Sequence, residues 1–267
     1  MPAELQNLQG RNPVNLSRRA QNEIAHGRLL AQGDPEVIWG WGTTAGKLRA
    51  QRRAALIAQG AELQPGVRAL EIGCGTGLFT EMFAQTGAHL IAVDISKDLL
   101  TRARLRNLPP DRVIFLEKRF EDCQVDGPFD AIIGSSILHH LDIKITLPKI
   151  YELLKPGGII CFAEPNMMNP QVYIERQCAH WKKWFWYVSS DETAFFRWQL
   201  AGLLTQVGFC NIEITPFDWL HPATPERLIR IIETLGHLLE WTPLISEFSG
   251  SLLIRGRRRL ANQGAGL

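Results

Sequence analysis

The chain has 267 residues, 45% hydrophobic and 21% charged, with a formal net charge of +2. That length supports one sizeable domain with additions, or two small ones, and the near-neutral charge argues against a broad polyanion-binding face. No apolar run approaches the ~18 residues of a membrane span, no basic-then-apolar leader is present, and Cys74, Cys123, Cys161, Cys178 and Cys210 lack Cys-x-x-Cys spacing, so the expectation is a cytoplasmic protein without a metal site.

In the N-terminal segment, residues 1–66, apolar Leu16, Ile24, Leu29 and Leu30 predict a helix over 16–32 that ends at Gly33-Asp-Pro35. Residues 37–46 hold Trp39 and Trp41 among three glycines, which is neither helix nor strand code. This predicts an ordered loop whose aromatics either plug the segment onto the core or fold over a ligand. Residues 47–59 predict a basic, Ala-rich amphipathic helix with Arg49, Arg52 and Arg53 facing solvent. Pro65-Gly66 turns into the core.

Residues 67–72 read as a strand and residues 78–84 as the start of a helix. Between them, Glu71-Ile-Gly-Cys-Gly-Thr-Gly77 places glycines at alternate positions. A turn with almost no side-chain bulk lets backbone approach a ligand at the unpaired amides of a helix N-terminus. The dinucleotide fingerprint requires a glycine at position 78, where this chain has Leu78. Residues 89–94 predict a buried parallel strand. It ends in Asp94, 21 positions after Gly73, where an acid can accept both hydroxyls of a ribose. The alternative for Asp94 is a helix N-cap, a role open to Ser96. A helix over 96–105, a strand over 112–116 and a turn and strand over 127–133 follow. Residues 134–141, Gly-Ser-Ser-Ile-Leu-His-His-Leu, leave a strand end and should border a ligand. A helix over 147–154, a turn at Lys155-Pro-Gly-Gly158 and a fifth strand over 159–163 complete the centre.

Glu71 with the glycine turn, Asp94, Phe129-Asp130, His139-His140 and the run Leu153-Leu-Lys-Pro-Gly-Gly158 occur in one order. Over residues 67–165 the chain thereby resembles the class I S-adenosylmethionine-dependent methyltransferases. The resemblance implies an α/β fold: a doubly wound, mostly parallel seven-stranded sheet whose last strand is antiparallel beside the sixth, with an N-terminal helical lid. It implies S-adenosylmethionine as cofactor. The implied cofactor-binding residues are Glu71, Gly73, Gly75 and Gly77 in the turn, Asp94 on the ribose, Ile95 against the adenine, and Ser135 near the methionine moiety. Many relatives place an Asp beside the adenine amino group. Arg119 stands there in this chain, which leaves Phe120 backbone and Glu121 as candidates.

Glu164 follows the fifth strand, in a Pro- and Asn-rich loop over 164–170. Within the segment 166–207, residues 171–179 and 190–205 predict helices. Between them lies the densest aromatic stretch, residues 180–188. It can wall an acceptor pocket, dock on a membrane surface or meet a partner subunit, with the acceptor cover favoured. The segment 208–260 completes the sheet with strands over 211–215 and 250–256. Between them, residues 226–240 predict a helix with Leu228, Ile231, Ile232, Leu235 and Leu239 at helical spacing.

The resulting expectation is methyl transfer to a small-molecule acceptor, apolar or lipid-like among the classes open, with no nucleic-acid partner and either a monomer or a homodimer. Oxygen is preferred over nitrogen or carbon because Glu164 and the histidines can deprotonate or orient a hydroxyl. RNA or protein methylation is disfavoured because Ser-Ser-Ile-Leu replaces a base-amino signature of Asn/Asp-Pro-Pro-Tyr type after the fourth strand. A non-catalytic binding protein of the same fold is the remaining alternative. Adjacent parallel strands lie about 4.8 Å apart, so His139 and Glu164 can converge on one acceptor, with His139 as general base and Glu164 either orienting it or binding an acceptor hydroxyl. The structural alternative has His139 packing the next helix and Glu164 bonding backbone in its own loop.

Overall fold

Short apolar-rich segments build the sheet in a computed structural model that describes residues 17–177 and 194–260. The strands are β1 (Arg68–Ile72), β2 (His89–Asp94), β3 (Val113–Glu117), β4 (Phe129–Ser135), β5 (Leu154–Pro165), β6 (Phe209–Phe217) and β7 (Ser251–Arg258). Their order is β3-β2-β1-β4-β5-β7-β6. Strands β1 to β5 are parallel, and β7 runs antiparallel to both β5 and β6. The expected mostly parallel, doubly wound sheet is therefore the observed one. Strand order reverses between β1 and β4, which opens a crevice beyond their C-terminal ends.

Alternation along the strands divides the core between the two faces. Leu70, Ile132 and Ile160 point to one face. There they meet Leu147 and Ile150 of α6 (Ile143–Leu153) and Leu200 and Leu204 of α8 (Arg197–Val207). Their sequence neighbours Ala69, Ile133 and Cys161 point to the other. They meet Ile57 of α3 (Thr44–Gly60) and Phe83 of α4 (Leu78–Ala84). Ile57 and Phe83 are fully buried. Each contributes roughly 1.5–3 kcal/mol by leaving water, which fixes α3 and α4 over the crevice end of the sheet.

The N-terminal segment is more helical than its composition predicts. After α1 (Arg18–Ala31), Asp34 caps Glu36 N–H and Pro35 starts the short helix α2 (Pro35–Ile38). Thr43 then accepts from Gly46 N–H and starts α3 at Thr44, so only residues 39–43 remain as loop. Two N-caps, hidden among tryptophans and glycines, decide this. The helix α5 (Lys97–Arg104) lies between β2 and β3, and α6 begins at Ile143 because Asp142 caps it. The helix α7 (Pro170–Gln177) follows β5. The aromatic stretch 180–188 lies outside the described residues. Residues 194–196 are not helical, and Phe195 bridges to Asn166.

Helix α9 (Glu226–Glu240) forms as predicted. Ile229 packs with Ala45 and Leu220, and Gly236 sits against Trp219. Of the apolar positions at helical spacing, Leu228, Ile231 and Leu235 are exposed. Among the described residues no helix is long and apolar enough to cross a membrane.

Candidate functional site

A cavity of about 710 Å³ lies beyond the ends of β1, β2 and β4, beneath residues of the N-terminal segment. Its floor is the glycine turn. Gly73, Gly75 and Gly77 have φ of +69°, +53° and +75°, values that favour glycine. Only Gly73 and Gly75 reach the cavity, together with Cys74 and Thr76. Gly77 instead caps α4 and packs on α5, where an added Cβ would lie 3.0 Å from Ala103 Cβ.

Asp94 bridges the turn to α5. One carboxylate oxygen accepts from Gly75 N–H at 2.8 Å and the other from Ser96 N–H at 2.8 Å. Ser96 itself caps α5 through Leu99 N–H. Burial pushes the Asp94 carboxyl upward, and the two amides hold it back. Glu71 is a correction. Its carboxyl is buried behind the turn, beside Thr80, and does not line the cavity. Burial raises its pKa to about 8, so it is mostly neutral at pH 7.

Ile95, Phe120, Glu121 and Ser135 all line the cavity. Arg119 lines it as well, 3.3 Å from the Glu121 carboxylate and 2.7 Å from that of Asp122. The basic residue at the usual acid position thus engages the neighbouring acids.

His139 and Glu164 meet. His139 is 2% exposed and lines the cavity, and its Nδ1 lies 2.6 Å from Glu164 Oε2. Glu164 Oε1 accepts from the N–H groups of Ile137 and Leu138, at 2.9 Å each. Glu164 is buried and off the cavity wall. Of the two roles open to Glu164, this position suits orienting His139 rather than binding an acceptor hydroxyl directly, and its backbone partners are Ile137 and Leu138 rather than its own loop. Burial drives its carboxyl upward, and the Leu138 and Ile137 amides oppose that. With Oε1 occupied by two donors, Oε2 takes the Nδ1 proton. That assigns the tautomer in which Nε2 carries a lone pair.

The arginines of α3 are the largest surprise. Arg53, expected in solvent, is 3% exposed and lines the cavity. Its Nη1 reaches Ser136 Oγ at 2.9 Å, Ser135 Oγ at 3.4 Å and the Ala163 carbonyl at 3.3 Å, while Nη2 bonds Ser251 Oγ. These partners are all neutral, and among the described residues Nε has none. Desolvation lowers the Arg53 pKa to about 10, which leaves it charged at neutral pH. The signal was present in the sequence. Arg53 shares one helical stripe with Ala50, Ala54 and Ile57, all buried. Arg49 and Arg52 are paired too, with Asp218 at 2.7 Å and Glu240 at 2.5 Å.

The N-terminal segment closes the cavity at two points. Glu36 accepts from Thr76 Oγ1 at 2.9 Å and pairs with Arg106, and Trp39 lies over Gly75. At the other end Arg19 donates to the His139 carbonyl at 2.8 Å, and Glu23 lies 3.0 Å from His140 Nδ1. His26, Trp39 and Trp41 line the wall. Among the described residues no group of three or more His, Cys, Asp or Glu is arranged to hold a metal.

Residues 70–160 match the family model described as a methyltransferase domain. The ubiquinone biosynthesis O-methyltransferase of Xanthomonas campestris pv. campestris (strain B100) is 34% identical over 106 residues, 38% of this chain and 44% of that protein. The match thus spans less than half the length of that curated relative. Among solved structures, N-methyltransferase NodS from Bradyrhizobium japonicum WM9 superposes with a TM-score of 0.60 at 17% identity, covering 89% of this chain and 98% of that one. The [4+2]-cyclase SpnF gives 0.63 at 17% identity, covering 93% and 98%. Residues 70–160 thus match a methyltransferase domain, and the sheet has the fold of these solved structures.

Proposed function

We propose that this chain, built on a class I methyltransferase domain, moves the methyl group of S-adenosylmethionine to an oxygen of a small-molecule acceptor. The cavity suits the cofactor chemically. It offers bare glycine backbone and a carboxylate, Asp94, at one side, and at the other a buried guanidinium, Arg53, with only neutral partners. A ligand with ribose hydroxyls and an amino-acid carboxylate satisfies both ends. In this reading Gly73 and Gly75 receive the cofactor, Asp94 takes the ribose, and Ile95, Phe120 and Glu121 border the adenine. Ser135 and Arg53 hold the amino-acid end, and Glu71 and Gly77 act from behind by shaping the turn. When bound, the cofactor supplies a methyl group on a sulfonium, activated without further help.

The observation that carries oxygen as the acceptor is the short contact between His139 and Glu164. With Glu164 on Nδ1, Nε2 is the ring nitrogen that takes the proton of an acceptor hydroxyl as the oxygen attacks. Trp39, Trp41 and α1 exclude water and align the reactants, the larger share of the work in such a displacement. The name of the Xanthomonas campestris relative, an O-methyltransferase of ubiquinone biosynthesis, is consistent with a hydroxylated acceptor of apolar or lipid-like character. Calorimetry with S-adenosylhomocysteine and with NAD tests the cofactor, and preference for NAD would sink the reading. Release of S-adenosylhomocysteine over a panel of phenols, alcohols and amines tests the acceptor. Turnover of amines alone would refute oxygen, and tight binding without any turnover would indicate a non-catalytic protein of this fold.

A further inference from the structure

Helix α9 carries a row of apolar side chains that the rest of the fold does not use. Leu228, Ile231, Leu235 and Leu238 are all exposed, Ile231 by 56% and Leu238 by 62%. Their spacing is three, four and three residues, the a/d rhythm of a helix–helix seam rather than the broad stripe of a core-facing helix. The opposite side of α9 already docks on the domain through Ile229 and Gly236. Beyond the helix the apolar surface continues through Trp241, 87% exposed, and Leu244, 81% exposed. Leu244 has φ of +67°, a left-handed conformation that costs a leucine energy. Within the monomer this strain only delivers a side chain into water.

We infer that this face is the interface of a homodimer, formed by α9 against α9 of a second copy in antiparallel register about a two-fold axis. The seam is self-complementary in that register. Leu228 meets the partner's Leu238, Ile231 meets the partner's Leu235, and the symmetry repeats both contacts, as an isologous interface requires. The flanking positions match as well. Exposed Arg227 lies on the same edge of the seam as Trp241, and the antiparallel register sets Arg227 beside the partner's Trp241. A guanidinium over an indole face is a favourable pairing. Leu228, Ile231, Leu235 and Leu238 lie exposed along the seam with Trp241 at its end, and Trp241 alone can bury roughly 150–250 Å² of the ~800 Å² per partner of a standard interface.

The test is sedimentation equilibrium of the full chain from about 1 to 100 µM, with and without lipid vesicles of neutral and anionic composition. Wild type should be a dimer, and Leu235→Glu/Leu238→Glu a monomer that still unfolds cooperatively, with a thermal midpoint independent of protein concentration and unchanged affinity for S-adenosylhomocysteine. Arg227→Ala, a surface change that leaves the seam intact, should raise the dimer dissociation constant about 3- to 10-fold. A wild type that stays monomeric overturns the proposal. It would assign the face to lipid if vesicles then bind wild type but not the double variant. A dimer that survives the double variant overturns it equally, because the interface then lies elsewhere.

Discussion

Replacing Glu164 with glutamine isolates the role of the His139–Glu164 contact, because the side chain keeps its shape while the hydrogen bonding inverts. The carboxylate accepts from two backbone amides, 2.9 Å each, and from His139 Nδ1 at 2.6 Å. A glutamine must turn its carbonyl oxygen to the amides of Ile137 and Leu138, which cannot pair with an NH2 group. Its NH2 then faces Nδ1, which must accept. The imidazole proton moves to Nε2, and the nitrogen assigned as base becomes a donor. Loss of general-base catalysis amounts to roughly 10²–10⁴ in turnover, about 2.7–5.5 kcal/mol of barrier at 1.36 kcal/mol per tenfold. Affinity for S-adenosylhomocysteine should stay within about 2-fold, because Glu164 is off the cavity wall and the lost energy belongs to the transition state. Nitrogen NMR of His139 reads the tautomer directly. Initial rates over hydroxylated acceptors read the catalysis. Turnover within 3-fold of wild type, with the proton demonstrably on Nε2, would refute the base and leave alignment as the whole mechanism.

Three further outcomes follow from the same geometry. Arg53→Met should leave the ligand-free protein as stable or more stable, since it removes a buried cation with neutral partners only. It should also weaken S-adenosylhomocysteine binding ~10- to 100-fold, at about 1.5–3 kcal/mol for a charged hydrogen bond, and unchanged affinity by calorimetry would remove Arg53 from the cofactor site. Asp94→Ala orphans the amides of Gly75 and Ser96. It should lower the thermal midpoint and cut cofactor affinity by a similar factor, and full affinity in the folded variant would end the ribose assignment. Glu71 predicts a pH effect. Its carboxyl ionises near 4.5 in the unfolded chain but at about 8 in the fold. Its stabilising contribution is therefore complete below pH 4.5 and is lost as pH rises toward 8, at up to roughly 1.4 kcal/mol per pH unit. Glu71→Gln should flatten that slope in urea titrations, and parallel wild-type and variant curves would show that the carboxyl is not held neutral.

Much of this molecule is written locally. Strands of buried apolar residues, glycines at alternate positions where φ must be positive, Asp94 at a strand end and the run into β5 were all legible in the amino-acid sequence. Each depends on contacts within a few residues or on the pairing rules of parallel strands. What only the tertiary structure decided involves distance across the chain. Asp94 and the glycine turn lie on neighbouring strands, but that its carboxylate spans Gly75 and Ser96 required their final geometry. Glu164 was visible as a residue near the acceptor. Whether it orients His139 or faces the acceptor was open in the sequence, and the inward direction of its β5 position, which alternation alone leaves ambiguous at a strand end, puts it behind His139. Arg53 sat in a basic helix that composition assigns to solvent. It is buried because helix α3 docks with Ile57 against the sheet, and a helix docked on one face carries inward whatever shares that stripe. Helix α9 shows the converse. Its periodicity marked the apolar positions correctly, but which side meets the domain was set by the fit of Ile229 and Gly236 against Leu220 and Trp219. Periodicity reports which residues share a face; only packing determines what that face meets.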